Sequence, residues 1–424
     1  MRAGFAETDI TPPVGTLKIG WKKIIVSEDV LDPIFARAAV FENGPARVGF
    51  IQLDTLSVRW TQASQIRAEI ERRFGFPGSN VMVSATHNHA GPAVANAGDV
   101  PRDERYVKLL VERSVQAFGD ALGRMTEAQV GFGSCFEFRV SHNRRVVMRD
   151  GTVRTHGTFS DPMALYIEGP IDPEVCVLAA RDLEGELLGA MVNFACHPTH
   201  HGPDSFISAG FPGVLAREMK DAGCPVTLYL NGASGNLHTS DPSRGGQDLG
   251  MEEAGRILAS DAKMVIDSLM FEDDLPLRSV SKTIHLPFRR ITRRELEGRV
   301  RGAQRFIDNS IYEREMPRLL ERIRRMGRQP AEIQVILMGN HAYVGIPAEY
   351  FVQLGLRIKE ECYPLHAIVV GHANGMVGYV PHREAFQRGG YETTLCGSSR
   401  LAPEAGDLMA DWVVRLAKKA ADVE

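Results

Sequence analysis

The chain has 424 residues, of which 44% are hydrophobic and 24% charged, a composition typical of a folded protein with a sizeable core. Its formal net charge of -4 argues against a nucleic-acid partner. No apolar run of about 18 residues occurs, and the first residues lack the apolar centre of a signal peptide. We therefore expect no integral membrane segment and a cytoplasmic location, unless a signal has been removed.

Cysteine and arginine positions add two further expectations. The six cysteines are scattered and form no CxxC pair, which predicts reduced thiols. Arginine-rich runs at 289–305 and 318–328 alternate with Glu and Leu at helical spacing. We interpret both runs as solvated helix faces rather than as a phosphate-binding patch.

Strand and helix patterns alternate along the chain. The turn at Asn43-Gly44 predicts a hairpin with strands at 36–42 and 48–53. Apolar runs and amphipathic spacing then predict, in order, a helix at 61–74, a strand at 81–84, a helix at 103–124, strands at 174–180 and 188–195, a helix at 211–222, a strand at 226–230 and a helix at 250–270. A strand at 277–287, a helical region at 292–327, strands at 333–338 and 342–346, a helix at 350–361 and a strand at 366–370 complete the list.

This order predicts an α/β fold in which a mixed β-sheet is flanked by helices. We expect a single domain over residues 1–424, with a helical excursion near 288–330. No internal repeat and no linker rich in Pro, Gly or Ser is visible. The oligomeric state is left open, a homo-oligomer included.

Histidines follow two of the predicted strands. His87 and His89 come directly after the strand at 81–84, and His197 follows the strand at 188–195. Open α/β sheets place ligands at the carboxyl ends of their strands, and neutral imidazole is a common zinc ligand. The sequence therefore predicts a zinc site at strand carboxyl ends. Unrelated surface histidines are the alternative.

A turn of small residues follows a third predicted strand. It contains Asn231, Gly232, Ala233 and Ser234, and its exposed amide groups are suited to contact a substrate or an oxyanion. The turn lacks the GxSxG pattern, and no GxGxxG or GxxxxGK[ST] pattern occurs elsewhere. Nucleotide chemistry is therefore disfavoured.

Several motifs in one order resemble the neutral/alkaline ceramidase family, in the form of a short bacterial-type member with the catalytic domain alone. They are Ala6–Pro13, Asp32-Pro33 with Ala36–Ala38, the THxHxGP pattern at 86–92, Asn143-Arg144, Asn193-Phe194 with His197, Pro347-Ala348-Glu349, Gly378-Tyr379-Val380 and Tyr391–Thr394. The resemblance implies one zinc ion per chain, held by His87, His197, Glu349 and Tyr379. It also implies site roles for Arg144 and Tyr391.

Two departures from that family stand out. The resemblance places Gly232 where ceramidases have a serine that contacts the reacting amide, and Asn236 where they have an aspartate. The chain also has no length for the C-terminal immunoglobulin-like domain. We therefore expect a substrate smaller than ceramide.

The resulting hypothesis is a zinc-dependent hydrolase that cleaves a linear N-acyl amide of a small molecule with metal-activated water. His89 is the candidate for proton transfer or oxyanion stabilisation, and Tyr391 can donate to the same developing charge. Three alternatives stay open: an esterase or lactonase on the same site, a zinc-stabilised binding protein without turnover, and a serine hydrolase that uses Ser234. Five further polar residues either orient His197 or bind a second ion: His200, His201, Asp204, His238 and Asp241.

Overall fold

The computed structural model of the chain describes residues 1–422 and confirms the α/β fold. Three principal sheets contain most of the strand residues, and helices lie outside each of them. The expectation of one mixed sheet is therefore wrong in the number of principal sheets, which is three. The alternation of strands and helices did not show which strands pair with which.

The first sheet is built by the N-terminal part of the chain. Its order is β4-β3-β2-β1, with residues 126–127 added beside β1. Only the edge pair β3 and β4 is parallel. The elements of this unit are β1 Arg2–Asp9, β2 Phe35–Asn43, β3 Ala46–Leu53, α1 Trp60–Phe74, β4 Val81–Ala85 and α2 Glu104–Gly123.

The second sheet repeats that arrangement. Its order is β8-β7-β6-β5, with residues 271–272 added beside β5. Again the edge pair, β7 and β8, is parallel and the other main pairs are antiparallel. Its elements are β5 Gln129–Phe136, β6 Glu174–Arg181, β7 Leu187–Phe194, α3 Phe211–Asp221, β8 Thr227–Asn231 and α4 Met251–Ile266.

The third sheet has the order β9-β10-β11-β12, with β11 and β12 parallel. The excursion between β9 and β10 carries α5 and a short helix at Arg293–Leu296. The elements are β9 Leu277–Pro287, α5 Asn309–Met326, β10 Arg328–Met338, β11 His341–Gly345, α6 Val352–Glu361, β12 His366–Val370 and α7 Ala405–Ala420.

The predicted helical region at 292–327 is wrong between residues 297 and 308, which are not helical. Gly298 and Gly302 interrupt it, with φ angles of 63° and 72° in the left-handed region. The Gly302 carbonyl oxygen also accepts a hydrogen bond from the amide of Gly390, so this stretch packs on the site loops instead of continuing a helix.

The chain thus contains the same topology three times, although no repeat is visible in the sequence. Each unit runs strand, strand, strand, helix, strand, helix, and its last strand lies parallel to the third. Burial pattern and turn positions specify such a topology, and many unrelated sequences share them. The helical excursion interrupts only the third unit.

A shared apolar core lies between the three sheets. It includes Phe5 and Phe50 from the first sheet, Leu228 from the second, and Ile336 and Tyr343 from the third. The outer faces are covered separately, by α1 and α2, by α3 and α4, and by α6 and α7. This packing fixes the three parallel edge pairs relative to one another.

The remaining short elements lie in loops. They are two-residue strands at Asp29–Val30, His142–Asn143, Phe206–Ile207, Leu237–His238, Ser240–Asp241, Gln247–Asp248, Glu349–Tyr350 and Tyr379–Val380, longer strands at Arg145–Met148, Val153–Thr155 and Ala164–Ile167, a helix at Ala385–Arg388, and single 3-10 turns at Gly78–Asn80, Pro242–Arg244 and Tyr391–Thr393. Across residues 1–422 all six cysteines are free thiols, as predicted. Within the same range, every helix is too short or too polar to cross a membrane.

Candidate metal centre

Each unit contributes a donor side chain to one point. His87 follows β4, His197 follows β7 and Glu349 follows β11. The Nε2 atoms of His87 and His197 are 2.9 Å apart. The Glu349 Oε2 atom lies 3.4 Å from the first and 3.9 Å from the second. Three residues separated by more than 100 positions each therefore meet at strand carboxyl ends.

Backbone carbonyls fix the tautomers of the two imidazoles. His87 Nδ1 lies 2.8 Å from the carbonyl oxygen of Leu56, and His197 Nδ1 lies 3.1 Å from that of Ser234. A carbonyl only accepts, so both Nδ1 atoms carry the proton and donate it. In the neutral rings the two Nε2 lone pairs then face each other. Such an arrangement is repulsive unless a cation lies between them.

Burial favours the neutral form that a metal ligand requires. His197 is 1% exposed, and burial, followed by the charges of His87 and Arg144, lowers its pKa well below the usual range. His87 has a φ of 70°, a conformation that non-glycine residues rarely adopt. Strain of this kind is concentrated at functional sites. These residues fit a zinc ion in donor type.

His89 approaches the same point. Its Nε2 atom lies 3.3 Å from His87 Nε2, and the ligand atoms of His87, His89 and His197 are all within 4.8 Å of one another. The Nδ1 atom of His89 is buried and has no hydrogen-bond partner in the described part of the chain. Burial, then His87 and Arg144, lowers the pKa of His89 well below the usual range. The ring is therefore neutral and can accept a proton.

Tyr379 and Arg144 lie beside Glu349. The short strand of Glu349 pairs in parallel with that of Tyr379, residue opposite residue. Arg144 donates from Nη2 to the Tyr379 hydroxyl at 3.2 Å and from Nε to Glu392 at 2.9 Å. Burial and the Glu349 charge raise the pKa of Tyr379 well above its usual range, so the phenol is protonated. The structure thus brings the predicted residues Tyr379 and Arg144 together.

A cavity of about 1840 Å³ opens onto this centre. Tyr391 lies in its wall, with its ring 5.7 Å from that of Tyr379 and 4.9 Å from that of Phe306. His87, His89, His197, Glu349, Tyr379 and Arg144 line it too. All predicted metal-site and catalytic residues therefore face one cavity, which is larger than the range of about 300–1,000 Å³ usual for small-molecule sites.

The predicted substrate-binding turn lies elsewhere. Asn231, Gly232, Ala233 and Ser234 are buried and do not line the cavity. Asn231 donates its amide to the carbonyl oxygen of Thr86, and Ala233 packs in the core of the third sheet. The Ser234 hydroxyl is buried without a partner. What the turn offers the centre is the Ser234 carbonyl oxygen, which orients His197.

The five residues considered for a second ion do not converge. His201 pairs with Asp204, and His238 Nε2 lies 2.6 Å from the Thr199 hydroxyl. His200 Nε2 lies 2.8 Å from the carbonyl oxygen of Leu249. In the described part of the chain, these residues form no cluster of metal-ligand atoms.

A separate cluster of Glu174, Cys176 and His366 has the spacing of metal ligands. Lys359 already occupies it, because its Nζ atom lies 2.8 Å from Glu174 Oε2. This cluster is therefore a lysine-neutralised ion pair at the beginnings of β6 and β12.

One residue at the centre was missed from the sequence. His372 follows β12, is fully buried and stacks on His87, with ring centroids 4.1 Å apart and planes 13° apart. Both of its ring nitrogens lack a hydrogen-bond partner among the residues that the structure describes, and its φ is 55°. The signal available was its position directly after a predicted strand, the same signal that identified His87 and His197.

Fold and site together define an α/β protein with a histidine and carboxylate centre at the ends of three parallel strand pairs. Searched against protein-family models, the chain matches none. It is 26% identical to the neutral ceramidase of Pseudomonas aeruginosa over 175 residues, which are 39% of this chain and 25% of that relative. The match therefore spans a quarter of the relative's length. Over that segment the chain is similar in sequence to neutral ceramidase.

Solved structures agree with this assignment at the level of the fold. The crystal structure of neutral ceramidase from Pseudomonas aeruginosa aligns with a TM-score of 0.76 at 19% identity, and covers 100% of this chain and 75% of that one. A ceramidase complexed with C2 aligns with a TM-score of 0.77 at 19% identity and the same coverage. The whole described chain therefore has the fold found in ceramidase.

Proposed function

We propose that the chain is a zinc-dependent hydrolase that cleaves a linear N-acyl amide bond. The observation that carries this proposal is the pair of facing Nε2 atoms of His87 and His197, 2.9 Å apart, with both Nδ1 atoms tied to carbonyl oxygens. Glu349 supplies the carboxylate beside them. Homology to neutral ceramidase supports an amide as the scissile bond.

His87, His197 and Glu349 would hold the ion, with the Tyr379 hydroxyl beside them as the fourth candidate ligand. Zinc bound there would supply Lewis-acid chemistry, which polarises a carbonyl and can lower the pKa of water from 15.7 to about 7. The protonated phenol of Tyr379, held by Arg144, would bind more weakly than a phenolate.

The remaining side chains supply proton transfer and charge stabilisation. Neutral His89 would accept a proton from the attacking water and return it to the leaving amine nitrogen. Arg144 keeps its charge next to Tyr379, and both would stabilise negative charge that develops on the substrate oxygen. Tyr391, in the wall of the same cavity, would donate to that oxygen or hold the substrate against the site.

A single-chain N-acyl amide, smaller than ceramide, is the proposed substrate. Its support is the family resemblance alone, which places Gly232 where ceramidases have a serine that contacts the reacting amide; the buried Gly232 does not itself line the cavity. The cavity volume sets no upper limit on the substrate, because about 1840 Å³ can accept a long acyl chain.

The test is zinc-dependent turnover of a matched set of N-acyl amides and their ester analogues. We expect the amides to be cleaved, activity to disappear with a chelator and to return with zinc, and far-ultraviolet circular dichroism to stay unchanged throughout. Cleavage of the esters alone would replace the amidase with an esterase. Loss of the folded state on zinc removal, with no turnover of either set, would favour a zinc-stabilised binding protein.

A further inference from the structure

Three arginines line the same cavity from three parts of the chain. Arg59 directly precedes α1, and Arg322 lies on α5. Arg400 lies in the loop between the Tyr391–Thr393 turn and α7. Arg400 is 2% exposed, Arg59 is half-buried, and Arg322 reaches the cavity from an exposed helix face. Of the three, only Arg322 belongs to an arginine-rich run, 318–328, that we interpreted as a solvated helix face.

None of the three has an ion pair within residues 1–422. Arg59 donates to the carbonyl oxygen of Met376 at 3.4 Å. Arg400 donates to the carbonyl oxygen of Gly397 and, from Nη2 at 3.0 Å, to the side-chain oxygen of Gln329. Arg322 donates to that same Gln329 oxygen at 3.4 Å. Two guanidinium groups therefore converge on one neutral oxygen.

Their positive charges are close to one another, and Glu349 and Glu315 act on Arg59 and Arg400 only from beyond ion-pair distance. Burial, followed by the charges of Arg322 and Arg59, lowers the pKa of Arg400. Burial and then Arg322 also lower the pKa of Arg59. Arginine nonetheless stays charged in proteins. The Nε atom of Arg400 is moreover buried without a hydrogen-bond partner among residues 1–422. A buried cation without an anion is unfavourable, which indicates a missing negative ligand.

The carboxylates in the cavity wall are engaged elsewhere. Glu315 pairs with Lys22 at 3.1 Å and Glu332 with Arg67 at 2.7 Å. Glu349 faces the imidazoles of the metal centre. No side chain among these is available to neutralise the three arginines.

We propose that Arg59, Arg322 and Arg400 form an anion-binding subsite, so that the substrate is an N-acyl amide carrying a carboxylate or a similar anionic group. This inference rests on the proposed amidase function for its choice of substrate. Guanidinium groups bind carboxylates in paired, planar hydrogen bonds, and three of them around one group give both affinity and orientation. The anion would anchor one end of the substrate while the amide lies at the metal centre.

The experiment compares charged and neutral substrates of equal length in the zinc-loaded full chain. N-octanoylglycine and N-octanoylglycinamide place the group on the amine side of the amide. The octylamide of succinic acid and its terminal carboxamide place it on the acyl side. We expect kcat/KM to favour the charged member of at least one pair by roughly tenfold or more, since hydrogen bonds to charged groups contribute about 1.5–3 kcal/mol each.

Arg322→Gln is the decisive variant, because Arg322 is exposed and its loss leaves the core intact. It should remove most of the preference for the charged member through KM. Arg325→Gln is the matched control, since Arg325 is exposed on the same helix and does not line the cavity. Arg400→Gln should act more strongly if it folds.

A binding measurement separates this inference from the amidase proposal. Calorimetry would compare two non-cleavable ketones, in which a methylene group replaces the amide nitrogen of the glycine pair. If neither amide is cleaved, the amidase proposal fails, and tighter binding of the charged ketone that is lost in Arg322→Gln still supports the subsite. Equal kcat/KM or equal binding within each pair, or a charge preference unaltered in Arg322→Gln, would overturn it.

Discussion

The metal centre makes its sharpest prediction at His197. Replacing it with alanine removes one of the two facing Nε2 atoms and leaves the carbonyl oxygen of Ser234 without its donor. Loss of an outer-shell partner typically lowers metal affinity about 10–100-fold. Loss of the ligand itself should therefore cost at least about 100-fold, or about 2.7 kcal/mol.

The same change should leave the protein folded. His197 is 1% exposed, so the variant gains a small cavity and a free carbonyl, at a cost of about 1–3 kcal/mol. The three-sheet core does not depend on it. The assay is zinc content per chain together with zinc titration against a competing chelator.

His200→Ala is the matched control for this test. His200 lies in the same turn and lines the same cavity, but its Nε2 atom faces the carbonyl oxygen of Leu249 instead of the metal centre. It should keep its zinc. Full zinc occupancy in both His197→Ala and His87→Ala, or equal losses in His197→Ala and His200→Ala, would refute the assignment.

Three further predictions follow from buried groups. Ser234→Ala should lower the rate of hydrolysis by roughly tenfold at most, because the hydroxyl is buried away from the cavity. His89→Ala should lower the same rate by orders of magnitude. An acyl-enzyme trapped on Ser234 would instead show that Ser234 is the nucleophile. Glu392→Gln should cost about 3–5 kcal/mol in urea unfolding, because it leaves the buried Arg144 without a carboxylate partner and leaves Arg145 with Glu168 alone. Burial alone would raise the Glu392 pKa, but the arginines lower it from 4.5 to about 2. The loss of unfolding free energy in Glu392→Gln should therefore shrink as pH falls through that interval, and a loss that stays constant would contradict the prediction. Burial and then His366 lower the His341 pKa from 6.5 to about 4, so protonation of His341 opposes folding over that pH interval. The variant His341→Phe keeps the stack on Phe132 and should lose on the order of 1 kcal/mol less stability than the parent as pH falls across the interval. Parallel pH profiles of the two proteins would show that the histidine is not responsible.

Strand ends were the part of the site that the sequence could predict. His87, His89 and His197 follow apolar runs whose buried-strand character is local, and the structure brings them within ligand distance of one another. Glu349 and Tyr379 depended on the family resemblance, since nothing local distinguishes that carboxylate from one at a helix start. Chemistry-bearing residues next to a strong strand pattern are therefore recognisable without a structure.

Residues that meet only through tertiary packing could not be predicted from the sequence. Arg59, Arg322 and Arg400 come from three separate segments, and only the folded chain shows that they share a cavity and lack carboxylate partners. The contacts of the Asn231–Ser234 turn were not predictable for a related reason. Small residues permit close backbone approach, but the sequence does not show whether a substrate or a neighbouring strand makes it. Here neighbouring strands do.

Because each of the three units supplies one proposed ligand, metal release and separation of the units are thermodynamically linked. The units are joined at the centre by asparagine side chains: Asn231 donates to Thr86, Asn193 to Val369, and Asn374 accepts from the amide of Val83. An opening motion that parts any two units disperses the donor set. Bound zinc should therefore slow amide hydrogen exchange around these asparagine contacts and leave exchange in the outer helices unchanged.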